Sequence, residues 1–214
     1  MHIVITGANR GIGNSLYRGY QDRGDDVTGT ARSGDGFVPL DVTQPDQFAP
    51  LAKALDGKPV DLLICNAGVY LDKGQSLADG YPPDMWAKSF ATNVTGVFLT
   101  VQSLLPNLQA SNSAKIAIIS SQMASQTRAP GGSYIYRASK AAALNLGRNL
   151  AVDLKGFDIA VGIYHPGWVQ TDMGGQSADI TVDQAAGGLM ARFDELGPDS
   201  SGCFRTWDGQ DHAF

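Results

Sequence analysis

Thr6-Gly7-Ala8-Asn9-Arg10-Gly11-Ile12-Gly13 follows directly on the apolar run His2–Thr6 and opens a segment in which Ile12, Leu16 and Tyr20 recur every four residues. The apolar run reads as a strand, and the stripe after it as one face of a helix that stops at Gly24. Glycines between a strand and a helix let the chain turn tightly and let its backbone approach a pyrophosphate, whose charge rests on the helix N-terminus. The spacing is G-x-x-x-G-x-G, not G-x-G-x-x-G. A glycine-rich turn that binds nothing is the alternative, and the strand–turn–helix context speaks against it. Gly7, Asn9, Arg10, Gly11, Ile12 and Gly13 are thus candidate cofactor-binding residues.

Outward from this unit the same alternation continues. Val27–Ala31, Phe37–Leu40, Val60–Cys65, Lys115–Ser120, Ile159–Tyr164 and Cys203–Trp207 read as strands. Helices are expected after Thr43, taken as a cap with Pro45 in the first turn, and over Asp84–Gln109, Tyr134–Leu154 and Val182–Phe193. Strands rich in Ile, Val and Leu without polar alternation are buried on both faces, as in parallel sheets. Strand–helix alternation from end to end predicts a doubly wound, Rossmann-like α/β sheet with helices on both faces. No repeat, linker or break in composition divides residues 1–214, so a single domain is expected. One crossover is too short: only Ser33-Gly34-Asp35-Gly36 separates the second and third strands. Such a link returns along a short strand but houses no helix, so the helix between strands 2 and 3 is predicted to be missing.

Composition narrows the function classes. With 43% hydrophobic and 17% charged residues the chain is globular, not disordered. Sixteen Lys+Arg against 21 Asp+Glu leave a charge of −5, which disfavours nucleic acid as a partner. Cys65 and Cys203 make no disulfide framework and read as free thiols of a reducing compartment. No apolar run reaches the ~18 residues of a membrane span and no signal core follows Met1, so a cytoplasmic protein is expected. His2, His165 and His212 lack metal-ligand spacing, and no metal is expected.

Further candidates lie where strands end. Arg32 follows the second strand, where an acidic residue would hold a ribose 2′-hydroxyl. With Arg10 it suits a 2′-phosphate by charge and bidentate geometry. Asp41 and Val42 end the third strand, and Asn66-Ala67-Gly68 end the fourth, on the ligand side of such a sheet. Asp41 also reads as a turn residue, and Asn66 as a bridge between strands. Tyr136 and Lys140 are four apart and share a helix face. An ammonium near a phenol favours the phenolate, and a phenol so tuned exchanges a proton with a carbonyl or alcohol oxygen. Ser120 and Ser121 end the fifth strand, within reach of the same oxygen.

With these residues in place the chain resembles the short-chain dehydrogenase/reductase family along essentially its whole length. The segments TGANRGIG, NAG, NVTG, ISS, YRASK and HPGWVQTDM occur in the family's order. HPGWVQTDM with Trp207-Asp208-Gly209 is similar to the subgroup of C-factor-like proteins and sniffer-type carbonyl reductases. The resemblance implies a catalytic tetrad of Asn93, Ser121, Tyr136 and Lys140. Tyr136 would be the acid/base and Ser121 would orient the carbonyl. Lys140 would hold the nicotinamide ribose, and Asn93 would anchor a proton-relaying water. It also implies Val169 and Thr171 at the carboxamide, Asp41 and Val42 at the adenine, and Asn66 along the cofactor. The cofactor would be NADP(H) by preference, with NAD(H) possible. The partner would be a small carbonyl or alcohol, and the assembly a homodimer or larger, paired through the two long helices. The family's usual serine-to-tyrosine spacing falls on Tyr134, and Tyr136 lies two residues further on. Only Tyr136 has Lys four residues on, so an insertion within 122–133 is expected, with Ser125 as an alternative to Ser121. A cofactor-binding sensor without turnover is the competing function.

Overall fold

The computed structural model describes all 214 residues. Its strands are β1 (His2–Thr6), β2 (Asp26–Ala31), β3 (Val38–Pro39), β4 (Leu62–Cys65), β5 (Lys115–Ile119), β6 (Ala160–His165) and β7 (Phe204–Thr206). All seven lie in one parallel sheet of order β3-β2-β1-β4-β5-β6-β7. The helices are α1 (Gly11–Asp22), α2 (Phe48–Leu55), α3 (Pro83–Phe90), α4 (Gly96–Gln109), α5 (Tyr134–Asp153) and α6 (Val182–Glu195). This is the doubly wound architecture expected, and no helix stands between β2 and β3.

Successive strand residues serve opposite faces, and both faces are covered. Val4, Leu63, Cys65, Ile116 and Ile118 point into a core closed by Leu51 of α2, Leu104 and Leu108 of α4 and Leu150 of α5. Ile3, Ile5, Leu62, Ile64 and Ala117 point the other way, onto Leu16 and Tyr20 of α1 and Leu189 and Phe193 of α6. No helix is long and apolar enough to cross a membrane. Cys65 is buried, Cys203 half-buried, and both are free.

Two local expectations are corrected. Thr43 does not cap α2: its backbone N–H and hydroxyl both donate to Asp41 Oδ1, at 2.9 and 2.8 Å. The chain then enters α2 through a 3₁₀ turn at Pro45–Gln47. The span Asp84–Gln109 is not one uniform helix either. Between α3 and α4 it widens into a π-helical turn at Ala91–Thr95, with Asn93 at its centre. Such turns introduce an extra residue per turn and cluster at functional sites.

Helix α5 is set directly against the sheet by Gly147, where a Cβ would lie 2.6 Å from Ile163 Cγ1 and 3.1 Å from Ile118 Cδ1. Gly147→Val is therefore expected to destabilise the fold by about 1–3 kcal/mol through overpacking. The check is the urea midpoint at constant m-value; an unchanged midpoint would show that the helix has room to move.

Candidate active site

The strand order reverses its direction of growth between β1 and β4, and ligands bind outside the carboxyl ends of strands at such a point. Asn66, just past β4, fills the reversal. Its Nδ2 donates to the carbonyls of Thr6 and Gly7 at 3.0 and 3.1 Å. The bridging alternative for Asn66 is thus what its side chain does, while the residue also lines the cleft. Gly7 and Gly11 have φ of 67° and 53°, in the left-handed region. At Gly13 a Cβ would sit 2.2 Å from the Gly7 carbonyl and 2.4 Å from Asn66 Nδ2. Gly13 lies beneath the loop as packing, while Gly7, Asn9, Arg10, Gly11 and Ile12 face the cleft.

That cleft has a volume of about 950 Å³. Helix α1 starts at its floor with no side-chain cap, so its first N–H groups are available to an anion. The glycines of the loop, the uncapped helix and the cleft fit a dinucleotide. Arg32, Asp41, Val42, Ala67 and Gly68 line the same space. Asp41 shares its carboxylate with the Thr43 turn, so the turn and cleft readings of this residue both hold. The two arginines differ. Arg32 is exposed and makes no hydrogen bond or ion pair, whereas Arg10 Nη1 reaches Asp172 Oδ2 at 2.7 Å. That pair ties the glycine loop to the segment after β6. Thr171 lines the cleft, and Val169 is buried behind it in a parallel bridge to Ile180.

Tyr136 and Lys140, on α5, enter from the far side. Lys140 Nζ donates to the Ile119 carbonyl at 2.9 Å, and Ser120 Oγ to the Lys140 carbonyl at 3.0 Å. Burial lowers the Lys140 pKa to about 8. Tyr136 is also buried, and burial pushes its phenol up to about 12; Tyr70 and Asp72 act in the same sense and the Ser121 hydroxyl opposes them. The depressed phenol expected beside Lys140 is therefore not met in the chain alone. Lys140 Nζ is turned to a backbone carbonyl and lies 5.7 Å from the Tyr136 ring centre.

Of the serines after β5, Ser120 lines the cleft and the Ser121 hydroxyl acts on the Tyr136 phenol, whereas the Ser125 hydroxyl donates to the Phe214 carbonyl. Gly131, Gly132 and Ser133, just ahead of α5, all have positive φ. Tyr134 is 40% exposed and packs edge-on against Tyr81, outside the cleft. Asn93 is buried, with Nδ2 donating to the Val69 carbonyl and Ser139 Oγ, and Oδ1 accepting from the Val69 N–H. Asn93 is thus a brace between the β4 loop and α5. His165 is buried, and burial lowers its pKa to about 4. Sequence reading missed Tyr70 and Asp72. Tyr70 stacks on Tyr136 with ring centres 4.2 Å apart, and Asp72 accepts the first amides of α5. A carboxylate directly after the apolar stretch Val69-Tyr70-Leu71 was the available signal.

Comparison with known proteins agrees with this geometry. A family model described as short chain dehydrogenase matches residues 1–180. The chain is 35% identical to a 1-hydroxy-2-glutathionyl-2-methyl-3-butene dehydrogenase of Rhodococcus sp., over 97% of this chain and 96% of that one. It is 37% identical to the C-signal of Myxococcus xanthus, over 71% of this chain and 90% of that one. Among solved structures, an NADPH-bound carbonyl reductase from chicken fatty liver superposes with a TM-score of 0.90 at 29% identity, covering 100% and 98% of the two chains. The carbonyl reductase Sniffer of D. melanogaster does so with a TM-score of 0.92 at 26% identity, covering 100% and 99%.

The buried Lys140 ammonium has a consequence for stability. Its folded pKa of about 8 lies below its ordinary 10.5, so between those values the unfolded chain binds the extra proton. Stability from this group then rises with pH across that window, and the full penalty applies below it. Lys140→Met removes the penalty. It is expected to raise the thermal midpoint at pH 7, with the gain over wild type shrinking toward pH 10. A midpoint equal to or below wild type throughout would contradict this account.

Proposed function

Because this chain belongs to the short-chain dehydrogenase/reductase family, we propose that it interconverts a carbonyl and an alcohol using NADP(H) in preference to NAD(H), with Tyr136 as the acid/base. The observation that carries this reading is the meeting of Tyr136 and Lys140 at one wall of a cleft whose other wall is the glycine loop, with Ser120 on that wall and the neighbouring Ser121 acting on the phenol. The bound nicotinamide supplies or accepts the hydride.

The chain's residues supply the rest. The Ser121 hydroxyl accepts from the Met123 N–H at 3.1 Å, which leaves its own proton for the substrate oxygen. Tyr136 gives its proton to that oxygen in reduction and takes it back in oxidation. A phenol held near 12 is protonated at neutral pH, the state from which reduction starts. Lys140 and Thr171 would hold the nicotinamide end of the cofactor, with the Val169 backbone behind. Asp41 and Val42 form the adenine wall, which the missing β2–β3 helix leaves open. Asn93 holds the β4 loop to α5 and serves the proton relay. Free Arg32 is the principal 2′-phosphate ligand, with Arg10 shared between phosphate and Asp172. The NADPH in the chicken enzyme supports the cofactor preference.

We further propose one cytoplasmic domain acting as a homodimer through α4 and α5. Phe98 on α4 and Val152 on α5 are exposed, at 40% and 74%, and support that face. A cofactor-binding signalling protein without turnover has one observation in its favour, the similarity to the C-signal. The assembled Ser121, Tyr136 and Lys140 favour turnover, and steady NADPH consumption over a panel of carbonyls separates the two.

Tyr136→Phe is expected to lower kcat by ~10²–10⁴-fold, the usual worth of acid/base catalysis, while NADPH still binds by fluorescence. Tyr134→Phe should leave kcat near wild type. Wild-type kcat in Tyr136→Phe would refute the mechanism.

Arg32→Ala is expected to weaken NADPH binding roughly 10- to 100-fold, since a charge-assisted contact is worth ~1.5–3 kcal/mol. NADH affinity should stay unchanged. Equal wild-type affinities for the two cofactors would end the assignment. Light scattering at micromolar concentrations is expected to give the mass of a dimer; a monomer throughout would exclude the α4/α5 pairing.

A further inference from the structure

Helix α5 carries Tyr136 in its first turn, yet its own sequence does not cap it. Ser133, the residue ahead of it, has φ of 47° and makes no side-chain cap. Its hydroxyl is paired instead with the Tyr70 hydroxyl at 2.5 Å. The cap comes from a distant part of the chain. One Asp72 oxygen accepts from the Ile135 N–H at 2.8 Å, and both accept from the Tyr136 N–H, at 3.2 and 3.3 Å. Asp72 is 1% exposed. A carboxylate so buried is costly unless it is met by donors. Here backbone N–H groups and the positive end of a 20-residue helix meet it, with no basic side chain involved.

The segment that brings Asp72 here is the one that lines the cofactor cleft. It runs from Asn66-Ala67-Gly68 through Val69, pinned in both directions by Asn93, to Tyr70, stacked on Tyr136, and then to Asp72. We propose that Asp72 is a positioning residue for the reaction: its carboxylate fixes the first turn of α5, and with it the Tyr136 phenol, to the β4 loop, and sits at the backbone N–H of the residue that bears that phenol. The inference rests on Tyr136 as the acid/base. The ionisable groups around Tyr136 are Lys140 on its own helix and, from the β4 loop, Tyr70 stacked on its ring and Asp72 at its backbone N–H; Ser121 from the end of β5 adds a neutral hydroxyl. Among these Asp72 and Tyr70 raise the phenol's proton affinity. A cap that acted only on helix stability would leave the titration of the reaction in place.

The test is Asp72→Asn, which keeps the shape and one acceptor but removes the charge. The pH dependence of kcat for alcohol oxidation reports the deprotonation that Tyr136 must undergo. In Asp72→Asn that limb is expected to move to lower pH by roughly half a unit or more, and kcat for reduction to fall. NADPH affinity should stay within about twofold of wild type, since the glycine loop is untouched. A limb that superposes on wild type overturns the proposal, whatever happens to kcat. Tyr136→Phe is assayed alongside. If it keeps wild-type turnover, the acid/base assignment itself has failed, an outcome separate from an inactive Tyr136→Phe with an unmoved Asp72→Asn limb. Hydrogen exchange on the wild-type protein stands independently of any variant's folding. The Ile135 and Tyr136 amides are expected to exchange as slowly as the interior of α5, and fast exchange at both would overturn the proposal.

Discussion

Thr6 and Asn66 join the two strands between which the sheet changes direction. Thr6 Oγ1 accepts from the backbone N–H groups of Asn66 and Ala67 at 3.0 and 3.1 Å, and donates to the Ile64 carbonyl at 3.5 Å. Asn66 returns two bonds to the end of β1. Parallel strands splay beyond their last ladder bond unless something bridges them, and here side chains continue the ladder past its end. Gly13 closes the knot from below, because only a residue without a Cβ fits under Gly7 and Asn66. Strand end, strand end and helix start thereby share one set of bonds. The cleft exists because those three pieces hold a fixed separation.

The opposite wall follows a different logic. Helix α5 is joined to β5 through Lys140 and Ser120, and to the π-helical turn through Ser139, whose hydroxyl accepts from Asn93 and donates to the Tyr136 carbonyl at 2.9 Å. Most of these are side-chain-to-backbone bonds within buried surroundings, where geometry is tightly determined. An ammonium and a phenol lie together in apolar packing, each with its proton affinity displaced from that in water. A core chosen for stability alone would use apolar residues at both positions. Burial at the one cleft moves the pKa of the ammonium toward neutral pH and that of the phenol away from it.

Much of this was legible in the chain. The apolar run ahead of Gly7, the four-residue stripe of α1 and the short Ser33–Gly36 link are local features, and local features dictate β1, α1 and the absent helix. The Tyr136–Lys140 pair was legible for the same reason, since a helix turn places both on one face. What the sequence hid depends on contacts between distant segments. Thr43 has the chemistry of a helix cap, but a 3₁₀ turn delays the start of α2 to Phe48, too far along the chain for Thr43 to reach. The π-helical turn leaves the apolar pattern of Asp84–Gln109 intact, so no periodicity announces it. Asp72 caps a helix 63 residues further on, whereas cap signals are sought next to the helix they serve. The phenol's proton affinity depends on where Lys140 Nζ points, which spacing alone leaves undetermined.

Both margins of the sheet are blunted. At one, β3 is two residues long and includes Pro39, which has no N–H to offer a newcomer. At the other, the tail turns back along β7: the Thr206 N–H donates to the Gln210 carbonyl and the His212 N–H to the Phe204 carbonyl, at 2.9 and 2.8 Å. A row of unpaired backbone groups is a template for another chain's strand, and long open edges invite aggregation. Here one edge is too short to act as a template and the other is occupied by the chain itself. A buried parallel sheet this rich in Ile, Val and Leu is thereby kept from growing strand by strand into its neighbours.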